Sequence, residues 1–334
     1  MAARRLTCGA REVPLSDSAN IVPAGADTIR DAAAVLRRGG LVAFPTETVY
    51  GLGADATNEA ALATLFAAKG RPRFNPLIIH VADLATAQAL APLGETGQKL
   101  AQAFWPGPLT LVVPRPKESR VGLLASAGLD TLALRVPAHP VAQALLRAFG
   151  GPIAAPSANP SGRVTSTRAS DVAEGLGSKV HLIVDGGASP VGIESTIIDV
   201  TGARPVLLRP GGVARDAIEA VVGPLASPSG DGVKAPGMLK SHYAPRLKLR
   251  LDVMQVKPGE ALLAFGPHPL QGAVATLNLS ERGDLAEAAA HLFAHLRALD
   301  ASPAQSIAVM AIPREGLGEA INDRLARAAA PREA

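Results

Sequence analysis

The sequence contains little of several residue types on which common protein classes depend. One cysteine, Cys8, occurs in 334 residues, which excludes a disulfide framework and any zinc site built from several cysteines. Aromatic residues make up 3% of the chain, which disfavours recognition of single-stranded nucleic acid by base stacking. The chain has no apolar run of about 18 residues, and its basic N-terminus lacks the apolar stretch of a secretory signal. We therefore expect a cytoplasmic protein without a membrane-spanning helix.

Signatures of several common catalytic sites are also absent or incomplete. The sequence has no GxxxxGK[ST] motif, which excludes a P-loop nucleotide site, and no GxSxG motif, which disfavours an α/β-hydrolase. The segment GLGADA (51–56) fits the loose dinucleotide-binding pattern, but Arg71 and Arg73 stand where that pattern needs an acidic residue. His291 and His295 are four residues apart, yet no HExxH pattern accompanies them, which favours an ordinary helix face over a metal site. We predict no residues that bind a metal directly.

The residues that are present predict a folded chain of two α/β domains. Hydrophobic residues make up 48% and charged residues 19% of the chain, and the net charge is +4, which fits a packed core better than a dedicated nucleic-acid surface. Strand-like and helical segments are mixed over 27–222, and the Pro- and Gly-rich segment 223–245 that follows is interpreted as a linker or lid. Residues 246–334 predict a smaller α/β domain with a mainly parallel sheet, and residues 1–26 are interpreted as an N-terminal extension.

A basic, proline-restrained loop is the strongest local signal for a binding site. It lies in AAKGRPRFNPLIIHV (67–81), where a helix ends at a glycine, Asn75 lies in the loop and a strand leads to His80. Lys69 and Arg71 stand at the helix end, and their ammonium and guanidinium groups can converge on one polyanion. A basic surface turn that only ends the helix is the alternative interpretation.

Polar turns after other predicted strands give a second signal. PSANPSGRVTST (156–167) places Ser157, Asn159 and Thr165 after a buried strand, where open α/β sheets bind their ligands. Hydroxyl and backbone N–H groups can bind phosphate there. The alternative is a serine-rich turn that caps the next helix.

Three further segments place hydroxyl groups and an arginine near strand ends. PTETVYG carries Thr48, STII carries Ser195 and LRPGG carries Arg209. These segments offer no Ser–His–Asp set, cysteine nucleophile or dense carboxylate cluster. The pattern therefore predicts binding of anions and stabilisation of transition-state charge, rather than covalent catalysis.

The motifs, taken together and in order, closely resemble those of the YrdC-like family. They are PTETVYGLG, AKGRPRFNPLIIHV, FWPGPLTLVV, ALRVPAHP, PIAAPSANPSG, VGIESTIID and LRPGG, over about residues 27–213. The linker motif PGMLKSHYAP and the domain after it are similar to the long, two-domain form of this family. The resemblance implies a YrdC-like twisted mixed sheet with flanking helices, joined to a smaller Rossmann-like α/β domain.

The resemblance also implies an activity. The family includes nucleotidyltransferases that form threonylcarbamoyl-AMP and pyrophosphate from L-threonine, bicarbonate or CO₂, and ATP, with Mg²⁺ held by the ATP phosphates. A separate threonylcarbamoyl transferase complex then modifies adenosine in tRNA, and a weak contact of this chain with tRNA is also considered. The alternatives are an RNA-binding module without adenylylation activity and a domain of a hydrogenase-maturation enzyme, which the single cysteine disfavours.

Site residues follow from the same resemblance, position by position. Lys69 and Arg71 correspond to the family's KxR pair and are the expected catalytic residues. The expected ATP-binding residues are Arg71, Asn75, Thr131, Ser157, Asn159, Thr165, Arg209 and Tyr243. The expected L-threonine-binding residues are Thr48, His80, Arg135, Ala155 and Ser195. Arg135 is expected to bind the carboxylate of the amino acid, and Tyr243 to close over the nucleotide.

Overall fold

The structure is a computed structural model that describes residues 20–228, 235–236 and 242–331. Most of the predicted extension 1–26 and part of the predicted linker 223–245 lie outside the described residues. Residues 21–222 are here called the first domain, and residues 248–329 the second domain.

The first domain alternates strands and helices along most of its length. Its elements are β1 (Ile21–Pro23), α1 (Ala26–Arg37), β2 (Val42–Pro45), β3 (Tyr50–Asp55), α2 (Glu59–Lys69), β4 (Ile78–His80), α3 (Leu84–Leu90), α4 (Gly94–Phe104), β5 (Leu109–Pro114), α5 (Leu123–Ser126), β6 (Thr131–Arg135), α6 (Pro140–Phe149), β7 (Ile153–Ala154), α7 (Ala169–Leu176), β8 (Leu182–Asp185), β9 (Thr196–Asp199), β10 (Val206–Arg209) and α8 (Arg215–Val222).

The strands of the first domain form one mixed sheet of ten strands in the order β1-β8-β2-β3-β7-β4-β6-β5-β9-β10. Parallel pairs such as β4 with β6 alternate with antiparallel pairs such as β5 with β6. This confirms the mixed sheet with flanking helices that the resemblance implied.

Alternate residues of the strands face opposite sides of this sheet, as the two-residue period of a strand requires. Along β2, Val42 and Phe44 pack in one apolar cluster with α1 and α6, whereas Ala43 packs in another with α2, α4 and α7. Ile78 and Ala133, which are paired in register, lie in a third cluster toward β10. The candidate site described below lies beside this third cluster.

The second domain is smaller and its sheet is entirely parallel. Its elements are β11 (Lys248–Arg250), β12 (Glu260–Ala264), β13 (Thr276–Asn278), α9 (Leu285–Asp300), β14 (Ser306–Val309) and α10 (Gly318–Ala329). The strand order is β11-β14-β12-β13, and each neighbouring pair is parallel. This confirms the predicted Rossmann-like domain.

The two domains share one apolar core. Ile193 of the first domain and Tyr243 of the linker pack in the same buried cluster as Phe293 of α9 and Ile321 of α10. Gly192 adds a close backbone approach: its φ is +75°, and a Cβ atom there would lie 2.4 Å from the carbonyl oxygen of Ala289 in α9. Only glycine combines this left-handed conformation with this spacing. The second domain is therefore packed directly against the loop that leads into β9.

Candidate active site

The strand order brings polar side chains from distant segments together at one end of the strands of the sheet. β4 ends at His80 and β6 ends at Arg135, and the register of the two parallel strands pairs these residues. β10 runs antiparallel to β9, so Arg209 at the end of β10 lies beside Ser195, which immediately precedes β9.

A cleft of about 530 Å³ opens at this end of the strands. Every residue assigned to L-threonine from the resemblance lines it, together with several of those assigned to ATP. The predicted residues on the lining are Thr48, Arg71, His80, Arg135, Ala155, Ser157, Ser195, Arg209 and Tyr243.

The remaining predicted residues are not on this lining. Lys69, Asn75, Asn159 and Thr165 are buried and make hydrogen bonds that hold its walls. Thr131, at the start of β6, lines a separate cavity of about 430 Å³. For the residues on the lining and off it alike, the assignments to ATP, to L-threonine and to catalysis stay predictions.

Helix α2 determines where the two catalytic candidates stand. Asn58 caps its N-terminus by accepting hydrogen bonds from two backbone N–H groups. Gly70 ends the helix in the left-handed conformation, with φ +61°. Lys69 is therefore the last helical residue, and Arg71 begins the loop.

Lys69 connects two of the motifs that were separate in the sequence. Its Nζ atom donates hydrogen bonds to the carbonyl oxygens of Ser157 and Asn159, each at 2.5 Å. The pKa of Lys69 is held well below its ordinary value because the ammonium group is buried and lies near the Arg71 guanidinium. The basic loop and the polar turn thus form one wall.

Arg71 is fixed by the loop that it begins. Its Nε donates to the carbonyl oxygen of Asn75 at 3.1 Å, and its Nη2 donates to Asn75 Oδ1 at 2.6 Å and to the Pro76 carbonyl oxygen at 2.8 Å. Burial lowers the pKa of Arg71. The proline-restrained loop therefore holds the guanidinium in the cleft without a carboxylate partner among these contacts.

Arg209 is held in the same manner from the opposite side. Its Nη2 donates to the carbonyl oxygen of Ser195 at 2.8 Å and to Ser195 Oγ at 3.1 Å, and its Nη1 donates to the Pro236 carbonyl oxygen at 3.2 Å. Ser195 Oγ is in turn 2.8 Å from Thr110 Oγ1. These partners are neutral oxygens, and burial lowers the pKa of Arg209.

Arg135, by contrast, has a carboxylate partner that the sequence interpretation missed. Its Nη2 lies 2.5 Å from Glu47 Oε1, and both side chains are buried. Glu47 Oε2 also accepts a hydrogen bond from the backbone N–H of Ala138 at 3.0 Å. Burial alone would raise the pKa of Glu47, but the Arg135 charge and hydrogen bond hold it below its ordinary value.

His80 presents a neutral imidazole to the cleft. Burial, together with the positive charge of Arg135, lowers the pKa of His80 to about 3. Its Nδ1 is buried and has no hydrogen-bond partner in the part of the chain that the structure describes. A ligand in the cleft can satisfy this atom.

Tyr243 of the linker lies at the meeting point of the two domains. It is buried, and its ring lies 5.6 Å from that of Phe293 and 4.2 Å from that of His242. Arg324 of α10 lies over the same ring, with its Cζ 5.2 Å from the centroid. Arg324 also bonds Glu194, which lines the cleft. The sequence interpretation missed both of these charged residues.

An apolar strip lies next to the cleft and is covered by the linker. Ala235 is fully buried in the cluster that it shares with Ile78, Val112, Ala133 and Ile197. The adjacent Pro236 lines the cleft. Ile78 of this strip also lines the cleft, so the polar site borders an apolar cluster.

The described residues lack both a cluster of metal ligands and a membrane-spanning helix. They contain no group of three or more His, Cys, Asp or Glu side chains that could hold a metal ion. Their helices include none that is long and apolar enough to cross a membrane.

Two family models match successive parts of the chain. The model for Sua5, YciO and YrdC proteins, described as "Telomere recombination", matches residues 34–211. The model described as "Threonylcarbamoyl-AMP synthase, C-terminal domain" matches residues 213–330.

Individual relatives match over almost the whole chain. The chain is 43% identical to a threonylcarbamoyl-AMP synthase of Pyrococcus abyssi, over 90% of this chain and 93% of the relative. It is 40% identical to a threonylcarbamoyl-AMP synthase of Bacillus subtilis, over 91% of this chain and 93% of the relative. The crystal structure of P. abyssi Sua5 complexed with L-threonine superposes with a TM-score of 0.86 and 39% identity, covering 93% of this chain and 97% of that one.

Proposed function

Because this chain belongs to the Sua5–YciO–YrdC family, we propose that it acts as a threonylcarbamoyl-AMP synthase. It forms threonylcarbamoyl-AMP and pyrophosphate from L-threonine, bicarbonate or CO₂, and ATP. The two-domain architecture and the match to Sua5 complexed with L-threonine support this function over an RNA-binding module without adenylylation activity.

The observation that carries the proposal is a set of three buried cations held by neutral oxygens. Within the described ranges, the hydrogen-bond partners of Lys69, Arg71 and Arg209 are carbonyl, amide and hydroxyl oxygens. None of these bonds is to a carboxylate, although the charge of Glu194 also acts on Arg209. Burying a cation without a bonded counter-ion is unfavourable by several kcal/mol unless a ligand supplies negative charge. The triphosphate of ATP supplies that charge, so these three residues bind it.

The amino-acid end of the cleft suits L-threonine. Hydrogen bonds to Gly107 and Glu47 use the Nε and Nη2 atoms of Arg135, and its Nη1 faces the threonine carboxylate in our proposal. Neutral His80 and the hydroxyl groups of Thr48 and Ser195 then bind the amine and side-chain ends. The backbone of Ala155 completes this list of proposed threonine contacts.

The reaction needs no nucleophile from the protein. The threonine amine takes up CO₂ to give an N-carboxylate, one oxygen of which attacks the α-phosphorus of ATP while pyrophosphate leaves. Negative charge accumulates on the phosphate oxygens, and Lys69, Arg71 and Arg209 stabilise it by preorganised hydrogen bonds and charge. Mg²⁺ enters as part of the ATP substrate and neutralises the same oxygens.

The product is a mixed anhydride that water hydrolyses. We propose that a separate threonylcarbamoyl transferase complex consumes it to modify adenosine in tRNA, in the cytoplasm where ATP and tRNA are present. A weak contact between this chain and tRNA belongs to the same proposal. Burial of Tyr243 above the cleft supports a role in shielding the anhydride from water.

Threonine-dependent release of pyrophosphate tests the function. Protein incubated with ATP, Mg²⁺ and bicarbonate should release pyrophosphate only when L-threonine is added. Lys69→Met and Arg71→Met should each lower the rate by about 100-fold or more. Lys99→Met is the matched control, because Lys99 is an exposed helical lysine paired with Glu95, and it should leave the rate unchanged. Folded protein that releases no pyrophosphate, or releases it equally without threonine, contradicts the proposal.

A further inference from the structure

Arg324 is a charged residue of the second domain that is completely removed from solvent. It lies on α10, and its relative exposure is 0%. Its Nε donates to Glu194 Oε2 at 2.8 Å, its Nη1 to Asp323 Oδ2 at 2.5 Å and its Nη2 to the Pro210 carbonyl oxygen at 2.9 Å. Two of these three bonds cross from the second domain to the first.

Both of the Arg324 hydrogen bonds that cross the domain interface end at or beside a wall of the candidate active site. Glu194 lines the cleft immediately before Ser195, and Pro210 immediately follows Arg209. The ring of Tyr243, also on the lining, lies below the Arg324 guanidinium at 5.2 Å, a distance typical of a cation–π contact. One side chain thus contacts the loop that precedes β9, the residue that follows β10, and the linker.

The buried carboxylate of Glu194 needs a cation beside it, and Arg324 is bonded to it. This carboxylate is buried in the wall of a cleft that we assign to a triphosphate, and its other oxygen, Oε1, accepts a hydrogen bond from Thr165 at 2.8 Å. Without a cation, a carboxylate at that position would repel the ligand and would itself be unfavourably buried. Arg324 neutralises it.

We propose that Arg324 is a positioning residue for the nucleotide, through which the second domain takes part in catalysis. It holds the Tyr243 ring and the Glu194 carboxylate in the geometry that accepts ATP, and it cancels the charge of Glu194. This inference rests on the proposed function of the cleft. It assigns the second domain a direct role in the site, since Arg324 hydrogen-bonds Glu194, whereas Arg209 of the first domain acts on the same carboxylate through its charge.

A second ion pair on the same helix supplies a matched control. Glu319 of α10 pairs with Arg215 of α8, at 2.5 Å, and also joins the two domains. This pair is about one-third exposed and contacts no residue of the cleft lining. Glu319→Gln therefore weakens the domain interface without changing the charge or packing of the site.

The test compares Arg324→Met, Arg324→Lys and Glu319→Gln by steady-state pyrophosphate release and by melting temperature. We expect Arg324→Met to raise KM for ATP by about 10- to 100-fold and Arg324→Lys to have an intermediate effect. Glu319→Gln should change KM for ATP by less than about twofold. KM for L-threonine should change less than KM for ATP in each Arg324 variant.

A double variant separates positioning from structural support. Glu194→Gln removes the charge that Arg324 neutralises, so Arg324→Met combined with Glu194→Gln should bind ATP better than Arg324→Met alone. If Arg324→Met does not fold, Arg324→Lys and Glu194→Gln each weaken the ion pair, and the coupling between them is measured instead.

The outcomes distinguish the inference from the function on which it rests. Wild-type ATP kinetics in Arg324→Met and in Arg324→Lys, or equal effects of Arg324→Met and Glu319→Gln, overturn the positioning role while the synthase activity stands. A folded wild-type protein that releases no pyrophosphate overturns the proposed function itself.

Discussion

Replacing Gly192 with alanine should move the second domain away from the first. A Cβ atom at this position would lie 2.4 Å from both the Ala289 carbonyl oxygen and the Ala290 Cα atom. Both are backbone atoms of α9, so no side-chain rotation can relieve the contact. Ordinary van der Waals spacing begins near 3.4 Å, so the helix has to retreat by about 1 Å, the difference between those two distances.

Two physical effects determine how much stability the Gly192→Ala variant loses. The left-handed backbone at φ +75° costs a residue with a Cβ atom about 1–2 kcal/mol. Forcing atoms into a packed interface adds about 1–3 kcal/mol. The free energy of unfolding should therefore fall by about 2–5 kcal/mol. Because α9 and α10 share one core, the retreat should also stretch the bond between Arg324 and Glu194 and raise KM for ATP.

Gly187→Ala is the control that isolates the steric effect. Gly187 has a similar φ, +85°, but a Cβ atom there would meet nothing within 4 Å. The Gly187→Ala variant should lose only the free energy that the left-handed backbone costs, and it should keep the wild-type KM for ATP. Urea unfolding followed by circular dichroism measures the stability of both variants. Equal losses in the two variants would refute the close approach as the cause.

Three further predictions concern the charged groups of the cleft. Glu47→Gln leaves Arg135 buried without a counter-ion and should lower the stability by about 3–5 kcal/mol; L-threonine should raise its melting temperature more than that of the wild type, and an equal rise would exclude a carboxylate bound at Arg135. Binding of MgATP should take up protons at an alkaline pH below the ordinary pKa of lysine, because phosphates raise the depressed pKa of Lys69; calorimetry over a series of such pH values, in buffers of different ionisation enthalpy, measures the uptake, and no buffer dependence contradicts it. His80 and His242 have pKa values of about 3 in the native protein against an ordinary value of 6.5, so only the unfolded chain takes up their protons between those values. Stability should therefore fall on acidification through that range, by about 1.4 kcal/mol per pH unit for each histidine, and urea unfolding of His80→Gln should show a shallower dependence.

The second domain was predictable from local patterns because clear turn residues separate its four short strands and two long helices. Two strands of the first domain were harder to predict. Tyr50–Asp55 forms strand β3, although its glycines resemble a nucleotide-binding turn and remove the alternating side chains by which a strand is usually identified. Ile21–Pro23 forms an edge strand that pairs with β8, inside the segment interpreted as an extension. A strand of three residues carries too little pattern to be identified alone.

The site residues differ in whether the sequence alone could identify them. Residues such as Lys69 and Arg71 could be proposed because a basic pair in a stiff loop has an evident use for anions. Glu47 and Glu194 stand inside motifs that were recognised, yet a carboxylate near an anion site has no evident use until its arginine partner is known. Arg324 lies 130 positions from Glu194, on a helix with several other charges. Long-range pairs of this kind arise only from tertiary packing, which no local pattern encodes.

The apolar strip beneath Ala235 has a consequence for the design of inhibitors. Among the described residues of the linker, Ala235 packs its methyl group on the strip, and the carbonyl oxygen of the adjacent Pro236 accepts a hydrogen bond from Arg209. A flat heteroaromatic fragment that displaces them would bury apolar area at about 25 cal/mol per Å² and would replace one hydrogen bond. Fragments carrying an acceptor for Arg209 should therefore compete with the protein's own chain as well as with the substrate, and a screen run without nucleotide is the condition in which they would first be detected.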